Sequence, residues 1–216
     1  MKKEPPSYYP IFLNVSGKKC VVVGGGQVAL RKVQALLERG ANIEVISPDP
    51  CHELDRLAEA EEITVQRKPY QPGDLREALI VIAATDEHAV NLEVAKEAKG
   101  EGVLVNVVDD AANSDFIVPS CLRRGDVTIA VSTAGRSPAL ARKIRTRLEK
   151  DWGDEYAALA LLIGEVRTEL RQLGVKVNGE DWQKALDLDL LTDLIKRGES
   201  KQAKAVLIGN LKVKQN

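Results

Sequence analysis

The sequence contains few cysteines and histidines, with three and two among 216 residues. Cys20, Cys51 and Cys121 are odd in number and scattered, so they predict neither a disulfide framework nor a zinc-binding spacing. Cys20 and Cys121 lie in apolar, strand-like segments, and we expect both in the core. Because histidine and cysteine do not cluster, we predict no bound metal.

The chain also lacks long apolar runs and a strong charge of either sign. No apolar run reaches the about 18 residues of a membrane span, and residues 1–6, Met-Lys-Lys-Glu-Pro-Pro, lack the apolar stretch of a signal peptide. The net charge of -1 argues against a nucleic-acid-binding protein. We therefore expect a cytoplasmic protein with no membrane or nucleic-acid partner.

The chain does contain a glycine-rich turn between a strand pattern, residues 19–23, and a helix pattern, residues 28–39. Gly24, Gly26 and Ala29 fit the spacing G-x-G-x-x-G/A. The first glycine makes the tight turn, the second leaves room for a phosphate, and the small third residue lets the helix pack on the strand. This predicts a dinucleotide-binding site, and a glycine turn without a ligand is the alternative.

Strand and helix patterns then alternate along the first half of the chain. Strands are predicted at residues 43–46, 63–67, 79–84 and 103–108, and helices at 51–61, 73–78 and 87–99. This alternation is typical of a parallel sheet with right-handed crossovers. We therefore predict the α/β class, with an NAD-binding Rossmann-type domain at residues 1–113.

The pattern changes after this domain. Residues 116–122 and 127–132 predict a hairpin around residues 123–126, and Ser137-Pro138 predicts the start of a helix over 139–150. Further helices are predicted at residues 156–173, 181–191 and 200–207. The sequence thus predicts a strand–helix region at 114–150 and a small all-helical C-terminal domain at 151–216.

Ligands of an open parallel sheet bind beyond the carboxyl ends of its strands. In a typical NAD site, an acid at the end of the second strand binds the ribose. Glu44 lies inside that strand, so a solvated role is favoured for it, and Ser47 or Asp49 is the alternative ribose ligand. No arginine follows the strand to bind a 2′-phosphate, which favours NAD over NADP.

Two other groups near this edge carry candidate chemistry. Asp109 follows the fifth strand, where a carboxylate can act as a general base, and a capping role is the equal alternative. Asp86 is favoured as an N-cap, and His88 as a solvated residue. Basic residues, among them Arg136 and Arg142, suit a substrate rich in carboxylates, or else form a solvated face.

Six segments together resemble the siroheme synthase family, whose members are precorrin-2 dehydrogenases and in some cases also sirohydrochlorin ferrochelatases. In chain order they are Tyr9–Leu13, Val22–Lys32, Ala83–Asp86, Val105–Asp109, Phe116–Ser120 and Gly135–Arg142. The resemblance runs from about residue 9 to residue 148, and the helical tail matches only in kind.

The resemblance implies oxidation of precorrin-2, a reduced tetrapyrrole with eight carboxylates, to sirohydrochlorin, with NAD as cofactor and Asp109 as the catalytic aspartate. It also implies that Gln27, Val28, Pro48 and Asp49 line the NAD. With the residues at the strand ends, the predicted cofactor-binding set is Gly24, Gly26, Gln27, Val28, Ser47, Pro48, Asp49, Thr85, Asp86 and Val107. The predicted substrate-binding residues are Arg31, Arg136, Ser137 and Arg142.

Assembly and a second activity are further implications of the resemblance. Family members are homodimers joined through a region that corresponds here to residues 114–150. Ferrous iron as a second substrate, for insertion into sirohydrochlorin, is left open. A non-catalytic NAD-sensing Rossmann module is the alternative function, because a sensor needs the glycine turn but neither Asp109 nor the arginines.

Overall fold

The computed structural model describes residues 8–212. The chain divides into two compact units, Met1–Val118 and Pro119–Asn216. None of the helices in the described residues has the length and apolarity to cross a membrane.

A five-stranded parallel sheet forms the centre of the first unit. Its strands are β1 (Lys19–Val23), β2 (Asn42–Ile46), β3 (Thr64–Gln66), β4 (Ile80–Ala83) and β5 (Leu104–Val107). They lie in the order β3-β2-β1-β4-β5, and every neighbouring pair is parallel. All of β4 and nearly all of β1 are buried, as expected for strands covered on both faces. The predicted Rossmann-type fold is confirmed.

Three helices connect these strands and cover the sheet: α1 (Gln27–Leu37), α2 (His52–Glu59) and α3 (His88–Glu101). One apolar cluster joins α1 and α2 to alternate strand residues, and a second joins α3 to the others. Cys20 lies in the first cluster, as predicted, and burial raises the pKa of its thiol to about 11. Cys20 is therefore a packing residue that stays protonated at neutral pH.

The prediction of a helix at residues 73–78 is wrong, because this segment forms turns. Gly73 has a φ of +100° and Glu77 one of +62°, and right-handed helices do not tolerate such values. The Asp74 carboxylate accepts from Lys68 Nζ at 2.6 Å and from the Gln71 N–H at 2.9 Å. Leu75 is fully buried, so the segment is a loop anchored by one apolar side chain.

The second unit begins with a hairpin and a helix: β6 (Ser120–Arg124), β7 (Val127–Val131) and α4 (Pro138–Asp151). The hairpin turn is shorter than the four residues predicted, because Arg124 already pairs with Val127. The expectation that Cys121 is a core residue is also wrong. Successive strand residues point to opposite faces, so Leu122 is buried and Cys121 is exposed.

Four helices complete the second unit: α5 (Glu155–Gln172), α6 (Gly179–Ala185), α7 (Leu188–Lys196) and α8 (Ser200–Lys212). They share an apolar core of their own. The prediction of a single helix at residues 181–191 is wrong, because the helical structure is interrupted between α6 and α7. The Asp187 carboxylate accepts from the Leu190 N–H at 3.1 Å and caps a new helix there. The predicted domain divisions, with a dimerisation region at 114–150, stay predictions.

We expect Gly125→Ala to destabilise the second unit by about 1–3 kcal/mol. Gly125 has a φ of +56°, and an added Cβ would lie 2.8 Å from the Cβ of Ala157. Gly164, in α5, is the matched control, because nothing lies within 4 Å of its added Cβ. Gly164→Ala should stabilise the helix by up to about 1 kcal/mol. Urea unfolding measures the free energy of unfolding of both variants. Equal losses of stability in the two would contradict this packing.

Candidate cofactor and active site

The loops that follow the sheet strands are joined into one continuous rim. The Gly24 N–H donates to the Ile46 carbonyl oxygen at 2.9 Å, which joins the turn after β1 to the end of β2. The Val108 N–H donates to the Ala83 carbonyl oxygen at 2.9 Å, which joins β5 to β4 in the same way. The predicted cofactor residues therefore lie side by side along the carboxyl edge of the sheet.

The three consecutive glycines of this rim have different steric surroundings. Gly24 has a φ of +126°, and an added Cβ would overlap the Ala84 carbonyl group, 2.7 Å from its carbon. An added Cβ on Gly25 would lie 2.5 Å from the Asp49 carbonyl oxygen. Gly26 has an ordinary φ of -84°, and its added Cβ would meet nothing within 4 Å. Packing thus requires the first two glycines, whereas the third leaves open space beside the helix.

That space lies at the N-terminus of α1, which carries the positive end of the helix dipole. Gly26 is the N-cap residue, no side chain caps the helix, and its first turn contains no acidic residue. The first N–H groups, beginning with Gln27 and Val28, are thus left without the carboxylate or hydroxyl that caps many helices. An uncapped N-terminus beside open space fits the pyrophosphate of a dinucleotide.

Glu44, within β2, contacts two other side chains of the sheet. Its carboxylate forms a 2.8 Å ion pair with Lys19 and accepts a hydrogen bond from the Gln66 side chain. Glu44 therefore has partners within the sheet. Ser47 is buried, and its Oγ accepts from the Asp49 N–H at 3.3 Å, whereas Pro48 and Asp49 are exposed. Asp49 is an exposed acid directly after β2, and its role as a ribose ligand stays a prediction.

The end of β4 is fixed by Asn91, a buried residue of α3 that the sequence analysis missed. Its Oδ1 accepts from the Thr85 N–H at 3.2 Å and from Thr85 Oγ1 at 2.8 Å, and its Nδ2 donates to the Thr85 carbonyl oxygen at 2.9 Å. The N-cap of α3 is Glu87 and not Asp86, so the capping role favoured for Asp86 is wrong. Asp86 and His88 are exposed at the rim.

Asp109 lies in a tight turn directly after β5. The Asp110 N–H donates to the Val107 carbonyl oxygen at 3.1 Å, and Asp109 has a φ of +59° with its side chain exposed. Asp110, and not Asp109, performs the local capping: its carboxylate accepts from the N–H groups of Ala112 at 3.1 Å and Asn113 at 3.2 Å. The bond from the Asn113 side chain lowers the pKa of Asp110. The Asp109 carboxylate is therefore not the cap.

The turn that carries Asp109 is tied to β5 from its far side. The Val107 N–H donates to Ser114 Oγ at 2.9 Å, and Ser114 Oγ donates to the Asp110 carbonyl oxygen at 2.7 Å. Asn106, buried within β5, donates from Nδ2 to the Phe116 carbonyl oxygen at 3.0 Å. Val107 is itself buried, so this predicted cofactor residue contributes apolar packing at the rim.

Lys32 follows Arg31, a predicted substrate residue, along α1. It is half-buried on α1, and its pKa is lowered by burial and by the neighbouring charge of Arg31. The opposite charge of Asp109 acts in the other direction on the Lys32 pKa. Arg31, its neighbour on α1, is exposed.

The other predicted substrate residues belong to the second unit. Ser137 Oγ caps α4 by accepting from the Leu140 N–H at 3.2 Å, which confirms its predicted capping role. Arg136 and Arg142 are exposed before and within α4. The substrate contacts predicted for Arg31, Arg136, Ser137 and Arg142 stay predictions. Within residues 8–212, no three or more His, Cys, Asp or Glu side chains form a group that could hold a metal ion.

Comparisons with known proteins agree with this geometry. A family model described as "Putative NAD(P)-binding" matches residues 11–120, and one described as "Sirohaem biosynthesis protein central" matches residues 124–150. A siroheme synthase of Nitrosococcus oceani is 38% identical over 202 residues, which are 93% of this chain and 43% of that relative. One of Pseudoalteromonas translucida is 41% identical over 165 residues, which are 76% and 35% of the two chains.

A solved structure, "SirC, precorrin-2 dehydrogenase", superposes with a TM-score of 0.69 at 25% identity. The match covers 95% of this chain and 99% of that one. The chain thus spans less than half the length of the two siroheme synthases, but nearly the whole of this dehydrogenase.

The glycine geometry predicts opposite outcomes for two similar substitutions. Gly26→Ala should change the unfolding free energy by less than about 1 kcal/mol, because nothing lies within 4 Å of the new Cβ. It should weaken NAD binding roughly tenfold or more, since the methyl group enters the space left for the pyrophosphate. Gly24→Ala should instead destabilise the protein by about 1–3 kcal/mol. Calorimetric titration with NAD and urea unfolding measure these effects. Wild-type affinity in Gly26→Ala would contradict the assignment.

Proposed function

The chain belongs to the siroheme synthase family, and from this membership we propose that it oxidises precorrin-2 to sirohydrochlorin with NAD as the acceptor. The observation that carries the proposal is the open, uncapped helix start beside Gly26 on the same rim as the exposed carboxylate of Asp109. The relatives are named as a synthase and a dehydrogenase, and both names favour an enzyme over a non-catalytic NAD sensor.

The first task of the chain is to bind and orient the cofactor. The N–H groups at the start of α1 would bind the pyrophosphate, and Ser47-Pro48-Asp49 would hold the ribose at the end of β2. Thr85 and Asp86, in the loop that Asn91 fixes, would support the cofactor farther along the rim. When bound, NAD supplies the redox chemistry by accepting a hydride from the substrate ring.

The second task is to remove a proton, and Asp109 is suited to it. Oxidation removes two hydrogens from the macrocycle, one as a hydride to the cofactor and one as a proton. The Asp109 carboxylate is exposed and does not cap the local backbone, so it can accept that proton and release it to water. The rigid turn after β5 keeps the carboxylate at a defined point of the rim.

The third task is to recognise the substrate. Precorrin-2 carries eight carboxylates, and the planar guanidinium group of arginine binds a carboxylate with two parallel hydrogen bonds. We assign this role to Arg31, Arg136 and Arg142, which are all exposed. Ser137 holds the start of α4 between the two arginines of the second unit.

Two implications of the family resemblance stay predictions. One is a homodimer joined through residues 114–150. The other is insertion of ferrous iron into sirohydrochlorin, for which iron is a substrate and Asp109 is a candidate acceptor of the pyrrole protons. Incubation of purified protein with sirohydrochlorin and ferrous iron, followed by the absorbance of siroheme, separates insertion from oxidation. An unchanged spectrum would restrict the activity to the dehydrogenase.

We expect Asp109→Asn to lower turnover roughly 100-fold or more while the protein keeps its fold and its affinity for NAD. Asparagine tolerates the positive φ of this turn at least as well as aspartate does, so the backbone should not change. General-base catalysis contributes roughly 100-fold or more, and the amide cannot accept the proton. Rates of NADH formation with precorrin-2 measure the loss.

The neighbouring Asp110→Ala is the control for local disruption. Asp110 caps the short turn at residues 111–113, so this variant should lose stability more than catalysis. A full rate in Asp109→Asn, with unchanged NAD affinity, would show that Asp109 is not the proton acceptor.

A further inference from the structure

An arginine lies beside the end of β2, although none directly follows that strand in the sequence. Ile46, the last residue of β2, pairs with Gln66, the last residue of β3. The Ser47 N–H then donates to the Gln66 carbonyl oxygen at 3.1 Å, so the loops after the two strands start side by side. Arg67 is the first residue after β3. The parallel pairing of β2 with β3 thus brings an arginine to the end of β2.

The same edge of the sheet includes the proposed ribose ligands and the start of α2. The Cys51 N–H donates to the Gly25 carbonyl oxygen at 2.8 Å, which holds the start of α2 against the glycine turn. Ser47 and Asp49, to which we assign the ribose, lie between β2 and this helix. In a Rossmann-type site, an arginine near the ribose accommodates the 2′-phosphate that distinguishes NADP from NAD. The backbone position of Arg67, at the strand end next to Ser47, suits this role.

The guanidinium group of Arg67 is paired with an acid of α2. Arg67 Nη2 lies 2.6 Å from Oδ1 of Asp55, which belongs to the first turn of that helix. The Arg67 side chain is 59% exposed, whereas the contacted Asp55 oxygen is buried. A phosphate that took Arg67 from Asp55 would leave this buried oxygen without its cation and would place two negative groups side by side, and both effects are unfavourable. The ion pair therefore withholds Arg67 from a 2′-phosphate.

We propose that the Arg67–Asp55 ion pair makes the cofactor site select NAD against NADP, with Arg67 as a latent phosphate ligand that Asp55 masks. This selectivity belongs to the cofactor site proposed above and rests on that function for the position of the ribose at the end of β2. Two further exposed acids, Asp49 before α2 and Glu53 in its first turn, add to the negative charge at this end of the sheet. A 2′-hydroxyl meets no such repulsion.

Lys68, the next cation after Arg67, is also paired with an acid. Its Nζ lies 2.6 Å from Asp74 Oδ1, in the loop that leads to β4. The two cations that directly follow β3 are therefore both neutralised by acids of the first unit. A site built to bind a 2′-phosphate would instead leave its cation without an acidic partner. Of the two pairs, only that of Arg67 involves α2, the helix that starts beside the proposed ribose ligands.

A purely structural role of the Arg67–Asp55 pair, which would hold α2 against β3, leads to a different expectation. Loss of a structural contact would lower the stability of the first unit and would weaken the binding of both cofactors alike, because NAD and NADP share the pyrophosphate and the adenine. Loss of a masking contact would change the ratio of the two affinities. The ratio of the Kd for NADP to the Kd for NAD therefore distinguishes the two roles.

The test is calorimetric titration of the full chain with NAD and with NADP. In wild-type protein the Kd for NADP should be roughly tenfold or more above that for NAD. In Asp55→Asn the ratio of the two Kd values should fall roughly tenfold, because one repulsive charge is lost and one guanidinium group is gained. This effect should shrink at high salt. Titration with 2′,5′-ADP and 5′-AMP, which differ only in the 2′-phosphate, should show the same change in ratio.

Two double variants of equal net charge identify the arginine that is responsible. Asp55→Asn/Arg67→Gln should recover most of the wild-type ratio, whereas the matched control Asp55→Asn/Arg56→Gln should keep the lowered ratio. Arg56 is also exposed, but it lies about 100° around α2 from Asp55. Circular dichroism and urea unfolding check that each variant is folded.

Three results would overturn the masking role of Asp55: equal affinities of wild-type protein for NAD and NADP, an unchanged ratio in Asp55→Asn, or a lowered ratio that persists in Asp55→Asn/Arg67→Gln. The titrations contain no tetrapyrrole, so they are independent of the proposed oxidation. If the ratios change as expected but wild-type protein forms no NADH with precorrin-2, the proposed function fails and the selection of the cofactor stands.

Discussion

The turn after β1 lies against the end of β4 only because Gly24 has no side chain. Any Cβ at this φ of +126° would overlap the Ala84 carbonyl group. This close approach brings the loops after β1 and β4 into contact, and the hydrogen bond from Val108 to Ala83 adds the turn after β5. A rim assembled by backbone contacts in this way can hold an extended cofactor and a catalytic side chain in fixed register. The site therefore depends on a steric constraint more than on any single polar bond.

Electrostatics gives this rim its chemistry. The start of α1 offers a positive helix end without a capping side chain. Lys32 adds a half-buried cation on α1, and the Asp109 carboxylate is exposed while Asp110 takes the capping bonds. Positive charge thus lies where phosphates are expected, and a free carboxylate lies where the proposed oxidation would remove a proton. The proposed oxidation of precorrin-2 would use this arrangement.

The sequence predicted the features that depend on local pattern. The alternation of strands with helices and the Ser137 cap each follow from neighbouring residues, and the structure confirms them. Features that depend on distant contacts were missed or wrong. Asn91 fixes the loop after β4 through its hydrogen bonds to Thr85. Cys121 is exposed because Leu122 occupies the packed face of their strand. Residues 73–78 have helical composition, but two positive φ angles make them a loop.

The central claim is that one rim both binds NAD and oxidises a carboxylate-rich macrocycle. The most direct test is the stoichiometry of a single anaerobic reaction of wild-type protein with NAD and fresh precorrin-2. One NADH should form for each sirohydrochlorin, with both absorbance changes rising at the same rate. Tight NAD binding with no NADH and no sirohydrochlorin would contradict it and identify a module that only senses the cofactor.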